Sequence, residues 1–232
     1  MTPTSERALA FTAAYRNQLH ETIRQIDLTQ VNQAIEWFAD AREHGHSIFT
    51  AGNGGSASTA SHFVCDILKG ASYQRDSRFR IMALTDNLAT LTAYSNDVSY
   101  SAVFTEQLKN FAKPGDIFLA ISGSGNSASV VEAMDCANSI GCRTIALTGR
   151  DGGKLGKIAQ LNILAPELHM GRIEDAHLIV CHMIAYHFME EKATPSQVME
   201  EKATSSQVIA GKTTPSPVTE DAMIPAPVLK VG

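Results

Sequence analysis

The stretch SIFTAGNGGS, residues 47–56, and its echo DIFLAISGSGNS, residues 116–127, decide how this chain folds. In each, a short apolar run ends in a bend rich in glycine and serine. Apolar runs of this length without polar alternation suit strands buried on both faces. Comparable runs recur at Arg80–Leu84, Cys142–Leu147 and Leu161–Leu164. Around them, apolar residues at three- and four-residue spacing predict helices over Ala8–Ile26, Val31–Glu43, Ser56–Leu68, Asn126–Ser139 and Arg172–Glu190. Strands separated by helices give an α/β class: a doubly wound three-layer α/β/α sandwich with a five-stranded, mostly parallel sheet behind two N-terminal helices.

Composition narrows the function. The chain has 232 residues, 44% hydrophobic and 19% charged, enough to bury a proper core. A net charge of -5 argues against nucleic acid as a partner. No apolar run approaches the roughly 18–20 residues of a membrane span, and the N-terminus lacks a basic segment followed by an apolar one. Cys65, Cys136, Cys142 and Cys181 are scattered without a C-x-x-C. These features together predict a reduced, cytoplasmic protein. From Met189 the chain turns into four decads, MEEKATPSQV, MEEKATSSQV, IAGKTTPSPV and TEDAMIPAPV. Their Pro and Ser/Thr content opposes regular structure, so the expected organisation is a domain over 1–190 and a disordered tail over 191–232.

The two bends look built for an anion. In Gly52-Asn53-Gly54-Gly55-Ser56 and Ser122-Gly123-Ser124-Gly125-Asn126-Ser127, glycines let backbone N–H groups approach a ligand. The hydroxyls of Ser56, Ser122, Ser124 and Ser127 add neutral donors, and each following helix presents its positive end. Neither bend matches the phosphate loop of nucleotide hydrolases, G-x-x-x-x-G-K-[ST], nor the full dinucleotide G-x-G-x-x-G. A pair of such bends, both after strands, favours a sugar phosphate. The bend Thr148–Gly153 reads as a rim element on the same sheet edge. Lys69, Arg75, Arg78 and Arg80 read as a solvated loop.

The combination AGNGGSAS, ISGSGNSASVVEA, LTDN, YSND, LTGRDGGKL and RIEDAHLIVCHMI resembles the sugar isomerase (SIS) domain family. Within it, the phosphoheptose isomerases are most similar; they interconvert sedoheptulose 7-phosphate and D-glycero-D-manno-heptose 7-phosphate. The resemblance runs from the N-terminal helices to about Glu190. It implies that Asn53, Gly54, Gly55, Ser56, Ser122, Gly123, Ser124 and Ser127 hold the phosphate end of the substrate and that Asp97 touches it. A turn-forming role is equally open for Asp97. The resemblance also implies homotetramers with active sites at subunit interfaces.

Aldose–ketose isomerisation passes through an enediol and needs a base working near pH 7 and stabilisation of an oxyanion. His62, Cys65 and Asp66 stand at i, i+3 and i+4 on one predicted helix; Glu174, Asp175, His177 and His182 stand on the last. The family patterns H-F-x-E-E and R-I-Q-E-x-H-x-x-x-x-H, carried across, imply His62, Cys65, Glu174 and His182 as catalytic or metal-binding positions, a plausible set for Zn²⁺. Two departures stand out: Cys65 at the catalytic Glu position and Glu174 at the Gln position. Asp66 or Glu174 can take over the carboxylate role. The expected assignment is His182 as principal acid/base, Glu174 as partner carboxylate, and His62 with Cys65 as ligands. His177, like Cys181 four residues on, equally suits the core. Two other classes compete: a non-catalytic SIS protein that associates with a replication initiator, favoured by Cys65 and opposed by His182, and a sugar-sensing regulator, which would carry a helix-turn-helix not found here.

Overall fold

The apolar runs form five strands, β1 (Ser47–Gly52), β2 (Arg80–Ala83), β3 (Ile117–Ser122), β4 (Arg143–Gly149) and β5 (Leu161–Ala165). They align in the order β2-β1-β3-β4-β5, and every pairing is parallel. The computed structural model describes residues 3–191. The disordered tail expected from the decads lies, from residue 192 onward, outside the described residues.

Eight helices surround the sheet: α1 (Pro3–Arg24), α2 (Leu28–His44), α3 (Gly55–Cys65), α4 (Leu88–Asp97), α5 (Thr105–Phe111), α6 (Ala128–Ile140), α7 (Leu155–Ile158) and α8 (Met170–Glu190). All six residues of β3 are buried, which explains why its sequence shows no polar alternation. Its side chains divide between two cores. Ile117, Leu119 and Ile121 pack with Phe38, Phe63, Ile184 and Phe188 beneath α2, α3 and α8. Phe118 and Ala120 pack with Phe104, Leu108 and Met134 beneath α5 and α6. Burying each large side chain contributes on the order of 1.5–3 kcal/mol. Asp116 stitches the base of the sheet, its buried carboxylate accepting from the backbone N–H of Ser47 and of Lys113, both at 2.8 Å.

Two local features differ from the sequence expectations. The helix expected to run from Ser56 to Leu68 stops being α-helical at Cys65 and widens into a π turn over Asp66–Gly70. Residues 88–111, left without assigned elements, fold as α4, a 3₁₀ turn at Tyr100–Ala102 and α5. Asp97 is the last residue of α4, at a helix end as its turn-forming alternative placed it.

The entry into α8 is clamped to α1. Glu167 accepts from Arg172 Nε at 2.7 Å and from the N–H groups of Leu168 and His169, and it also receives Thr22 Oγ1 of α1 at 3.2 Å. The Arg172 guanidinium, ahead of these other donors, holds the Glu167 carboxyl down at about 2. Tyr15 of α1 donates to Asp175 Oδ2 at 2.6 Å, which fixes the rotation of α8 about its axis.

His177 belongs to the core. It is buried on α8, and neither ring nitrogen finds a hydrogen-bond partner among the described residues. Burial penalises its charged form and pushes its pKa down to about 4. The unfolded chain, with an ordinary imidazole near 6.5, binds more protons than the folded one between those values. Stability carried by neutral His177 is thus complete above about pH 6.5 and lost as pH falls towards 4, by on the order of 3 kcal/mol. Denaturant melts at pH 7 and pH 5 should show a smaller pH-dependent loss in His177→Met than in the parent chain.

Candidate active site

The sheet order makes β1 and β3 neighbours, although the chain leaves β1 towards β2 and leaves β3 towards β4 and β5. The helices that follow also part company, α3 onto one face and α6 onto the other. This is the topological switch point, where a crevice opens beyond the strand ends. The two Gly/Ser bends are the turns that leave β1 and β3.

Their residues line one hollow of about 300 Å³: Asn53, Gly54, Gly55 and Ser56 from the first bend, Ser122, Gly123, Ser124 and Ser127 from the second, with Ile121, Met170 and Glu174. The structure thus brings together every residue expected to hold the phosphate, while Asp97, expected to touch the substrate's hydroxyls, is not among them. Gly54 has φ 55° and ψ -122°, a conformation that needs glycine, and it starts α3. Ser127 starts α6 without using its hydroxyl as a cap, which leaves Oγ available to a ligand. Ser122 Oγ and Ser124 Oγ lie 3.5 Å apart. Among the described residues, no lysine or arginine lines the hollow. The donors it offers an anion are hydroxyls, N–H groups and helix ends.

The rim bend at Gly152–Lys154 buttresses the cradle from behind. Leu155 N donates to the Gly125 carbonyl at 2.8 Å, and Lys154 N donates to Asn126 Oδ1 at 3.1 Å. Gly125, at φ 63°, sits so close that a Cβ would run into the Gly152 carbonyl. Asp97 lies elsewhere. It accepts from Asn96 Nδ2 at 2.7 Å and lines a separate cavity of about 530 Å³ between α4 and α5.

A second cluster stands farther along α3 and α8. His62 Nε2 and His182 Nε2 are 3.1 Å apart. Asp66 Oδ2 lies 3.2 Å from His62 Nε2 and 3.6 Å from His182 Nε2. Of the expected metal set, only His62 and His182 meet. Cys65 is exposed and outside the cluster; the carboxylate beside His62 comes from Asp66. The helical period explains this correction: on the face of α3 that meets α8, the i+4 position lies beside His62 and the i+3 position turns to solvent. The last acidic position of H-F-x-E-E is therefore kept, as Asp66, and the π turn begins at that residue. Glu174 also lies outside the cluster, against the first bend, where a Cβ on Gly55 would stand 2.5 Å from Glu174 Oε1.

The side chains suit a divalent cation. Asp66 Oδ2 is buried and receives no hydrogen bond, despite two imidazole nitrogens nearby. The two Nε2 atoms face each other at a separation where only one can carry a proton. Two nitrogens and one carboxylate oxygen, all within 4.8 Å of one another, are a ligand set that zinc accepts.

Parallel strands, a phosphate-shaped hollow at the switch point and an acid–imidazole cluster define a domain that handles phosphorylated small molecules. Comparison with known proteins sharpens this. Residues 10–149 match the SIS domain. A probable phosphoheptose isomerase from Thermoplasma volcanium is 42% identical over 161 residues, spanning 69% of this chain and 82% of the relative. The phosphoheptose isomerase from Aliarcobacter butzleri is 36% identical over 168 residues, 71% of this chain and 88% of that protein. Among solved structures, phosphoheptose isomerase GmhA from Neisseria gonorrhoeae superposes with a TM-score of 0.73 at 30% identity, over 80% of this chain and 98% of that one. A phosphoheptose isomerase from Francisella tularensis gives 0.74 at 26% identity, over 83% and 100%. The chain belongs to the SIS domain family, in its phosphoheptose isomerase branch.

Glu174 places a negative carboxylate in a hollow suited to phosphate, so the two compete for the same donors. Glu174→Ala and Glu174→Gln should each bind inorganic phosphate about tenfold more tightly than the parent at low salt, with the gain shrinking as salt screens the repulsion. Calorimetric titration at two ionic strengths measures this.

Proposed function

We propose that this chain interconverts sedoheptulose 7-phosphate and D-glycero-D-manno-heptose 7-phosphate through an enediol, in the synthesis of heptose precursors for surface polysaccharide. The observation that carries the reading is the alignment of α3 with α8. Gly55 meets Glu174 at the cradle, and His62 meets His182 seven and eight residues further on. At the α-helical rise, cradle and cluster are separated by about 10 Å along the helices. An extended seven-carbon chain held by its phosphate reaches that far; a three- or four-carbon one does not.

In this reading, Ser56, Ser122, Ser124 and Ser127 bind the phosphate and fix the distal end of the sugar, turning proton transfer into a reaction between positioned groups. The Asp66–His182 pair takes the proton from the carbon beside the carbonyl and returns it to the former carbonyl carbon, while the proton of the adjacent hydroxyl passes to the carbonyl oxygen. Asp66 Oδ2, 3.6 Å from His182 Nε2, orients the imidazole. His62, Asp66 and His182 are the side chains that would hold a divalent ion such as Zn²⁺; bound there, it would polarise the carbonyl and stabilise the oxyanion. The loss of the family carboxylate at Cys65 was the case for a non-catalytic protein, and Asp66 removes it.

Two further features of the reading concern the assembly and its setting. Leu9 and Phe11 of α1 are 59% and 62% exposed, apolar surface that a homotetramer would cover. All four cysteines are free, which suits a reducing cytoplasm, and no described helix is long and apolar enough to cross a membrane.

His182→Ala and Asp66→Asn should each lower turnover of sedoheptulose 7-phosphate by at least about 100-fold, the range of general acid–base contributions, while inorganic phosphate still binds. Retained turnover in either variant would remove the pair from the mechanism. Dialysis against a chelator should abolish activity, and zinc should restore it. Zinc titration of the apoprotein by calorimetry should show one site per chain, lost in His62→Ala.

A further inference from the structure

The first bend is held by side-chain contacts to elements outside the hollow. Asn53 Nδ2 donates to Ser129 Oγ at 2.9 Å, and Asn53 Oδ1 accepts from the Tyr100 hydroxyl at 2.7 Å. Ser129 lies in the first turn of α6, and Tyr100 opens the 3₁₀ turn that follows α4. One amide therefore ties together the first bend, the helix behind the second bend, and the segment between α4 and α5. Both ends of the amide are engaged, each by a hydroxyl that can donate or accept.

The tether matters because of what comes next. Asn53 is followed by Gly54 and Gly55, and Gly54 takes a backbone conformation that few residues adopt. Two glycines in succession make a soft turn with many accessible orientations of its N–H groups. Among the described residues, the cradle has no lysine or arginine to find the anion at a distance. Its affinity depends on N–H groups and hydroxyls already aimed at one point, and disorder in either bend subtracts directly from binding.

Tyr100 is 55% exposed and absent from both hydrophobic cores, so its ring contributes little to packing. Its directed contact is the hydroxyl on Asn53. We propose that Tyr100 is a positioning residue for phosphate: through Asn53 it clasps the first bend to α6 and holds the two halves of the cradle at a fixed separation. The inference rests on the phosphate cradle of the proposed function and extends the site to a residue that does not line it.

The test uses the full chain with Tyr100→Phe, which removes one oxygen from an exposed ring. Inorganic phosphate binding is read by calorimetry, and sedoheptulose 7-phosphate turnover by steady-state kinetics. The Kd for phosphate and the KM should both rise about fivefold, the net worth of one neutral hydrogen bond, with kcat and melting temperature unchanged. Ser129→Ala, at the other end of the same amide, should produce a similar rise. The double variant should lose little more than either single one, because both act through Asn53.

Unchanged phosphate affinity and KM in Tyr100→Phe overturns the proposal, as does a lowered kcat at constant KM. Fully additive losses in the double variant overturn the shared clasp. Should the parent bind phosphate, Tyr100→Phe bind it more weakly, and neither turn over the heptose phosphate, the clasp stands and the substrate assignment falls. Should the parent turn over substrate and Tyr100→Phe match it in every constant, the substrate assignment stands and the clasp falls.

Discussion

The adjacency of β1 and β3 is the constraint on which the site depends. Parallel strands end on one edge of the sheet, so the turns leaving two neighbours must emerge side by side. Because α3 and α6 cover opposite faces, nothing fills the gap above the pair, and the positive ends of both helices point into it. Glycines let the two bends fold back without side chains in the way, and serines supply the hydroxyls. Shifting either strand by one residue would exchange its core-facing and opposite-facing side chains, and six consecutive buried residues in β3 oppose such a slip from both cores. Packing far from the ligand thus fixes the separation of the cradle's two halves.

The second constraint is the parallel run of α3 and α8. Both helices start at the ligand edge and descend the same face, so residues at matching distances from their starts meet: Gly55 with Glu174, then His62 with His182. The Tyr15–Asp175 and Arg172–Glu167 contacts at the head of α8 set its rotation, and with it the direction of both Glu174 and His182. A clamp near residue 170 therefore reaches the imidazole two to three turns away through the rigidity of the helix. The π turn at Asp66 acts from the other side, at the point where α3 must bring a carboxylate up to two imidazoles.

Much of this was legible in the chain itself. Unbroken apolar runs of strand length, separated by helical periodicity, allowed only a buried parallel sheet, and the two Gly/Ser bends marked its ligand edge. Less legible was which side of α3 would meet α8. His62, Cys65 and Asp66 share a face within the tolerance of a helical wheel, and only the crossing with α8 selects i+4 over i+3. Glu174 was placed with the histidines because the family pattern groups them, yet two helical turns separate it from His182 in space. Asp97 stood in a segment whose helix carried no clear apolar period, since α4 buries none of its residues. The Tyr100–Asn53–Ser129 chain joins residues 47 and 76 positions apart, contacts that no local pattern announces.

The division of charge between the two ends of the groove follows from the same geometry. A lysine in the cradle would bind phosphate more strongly, but its charge would also act on Asp66 and the two imidazoles about 10 Å away through a low-dielectric protein edge. Neutral donors confine their influence to atoms within hydrogen-bond reach. Glu174 is the exception, an ionised side chain at the neutral end. Its repulsion acts alike on a free phosphate and on the phosphate of a sugar, and contacts that a sugar chain would add along the groove would offset it for the sugar phosphate alone.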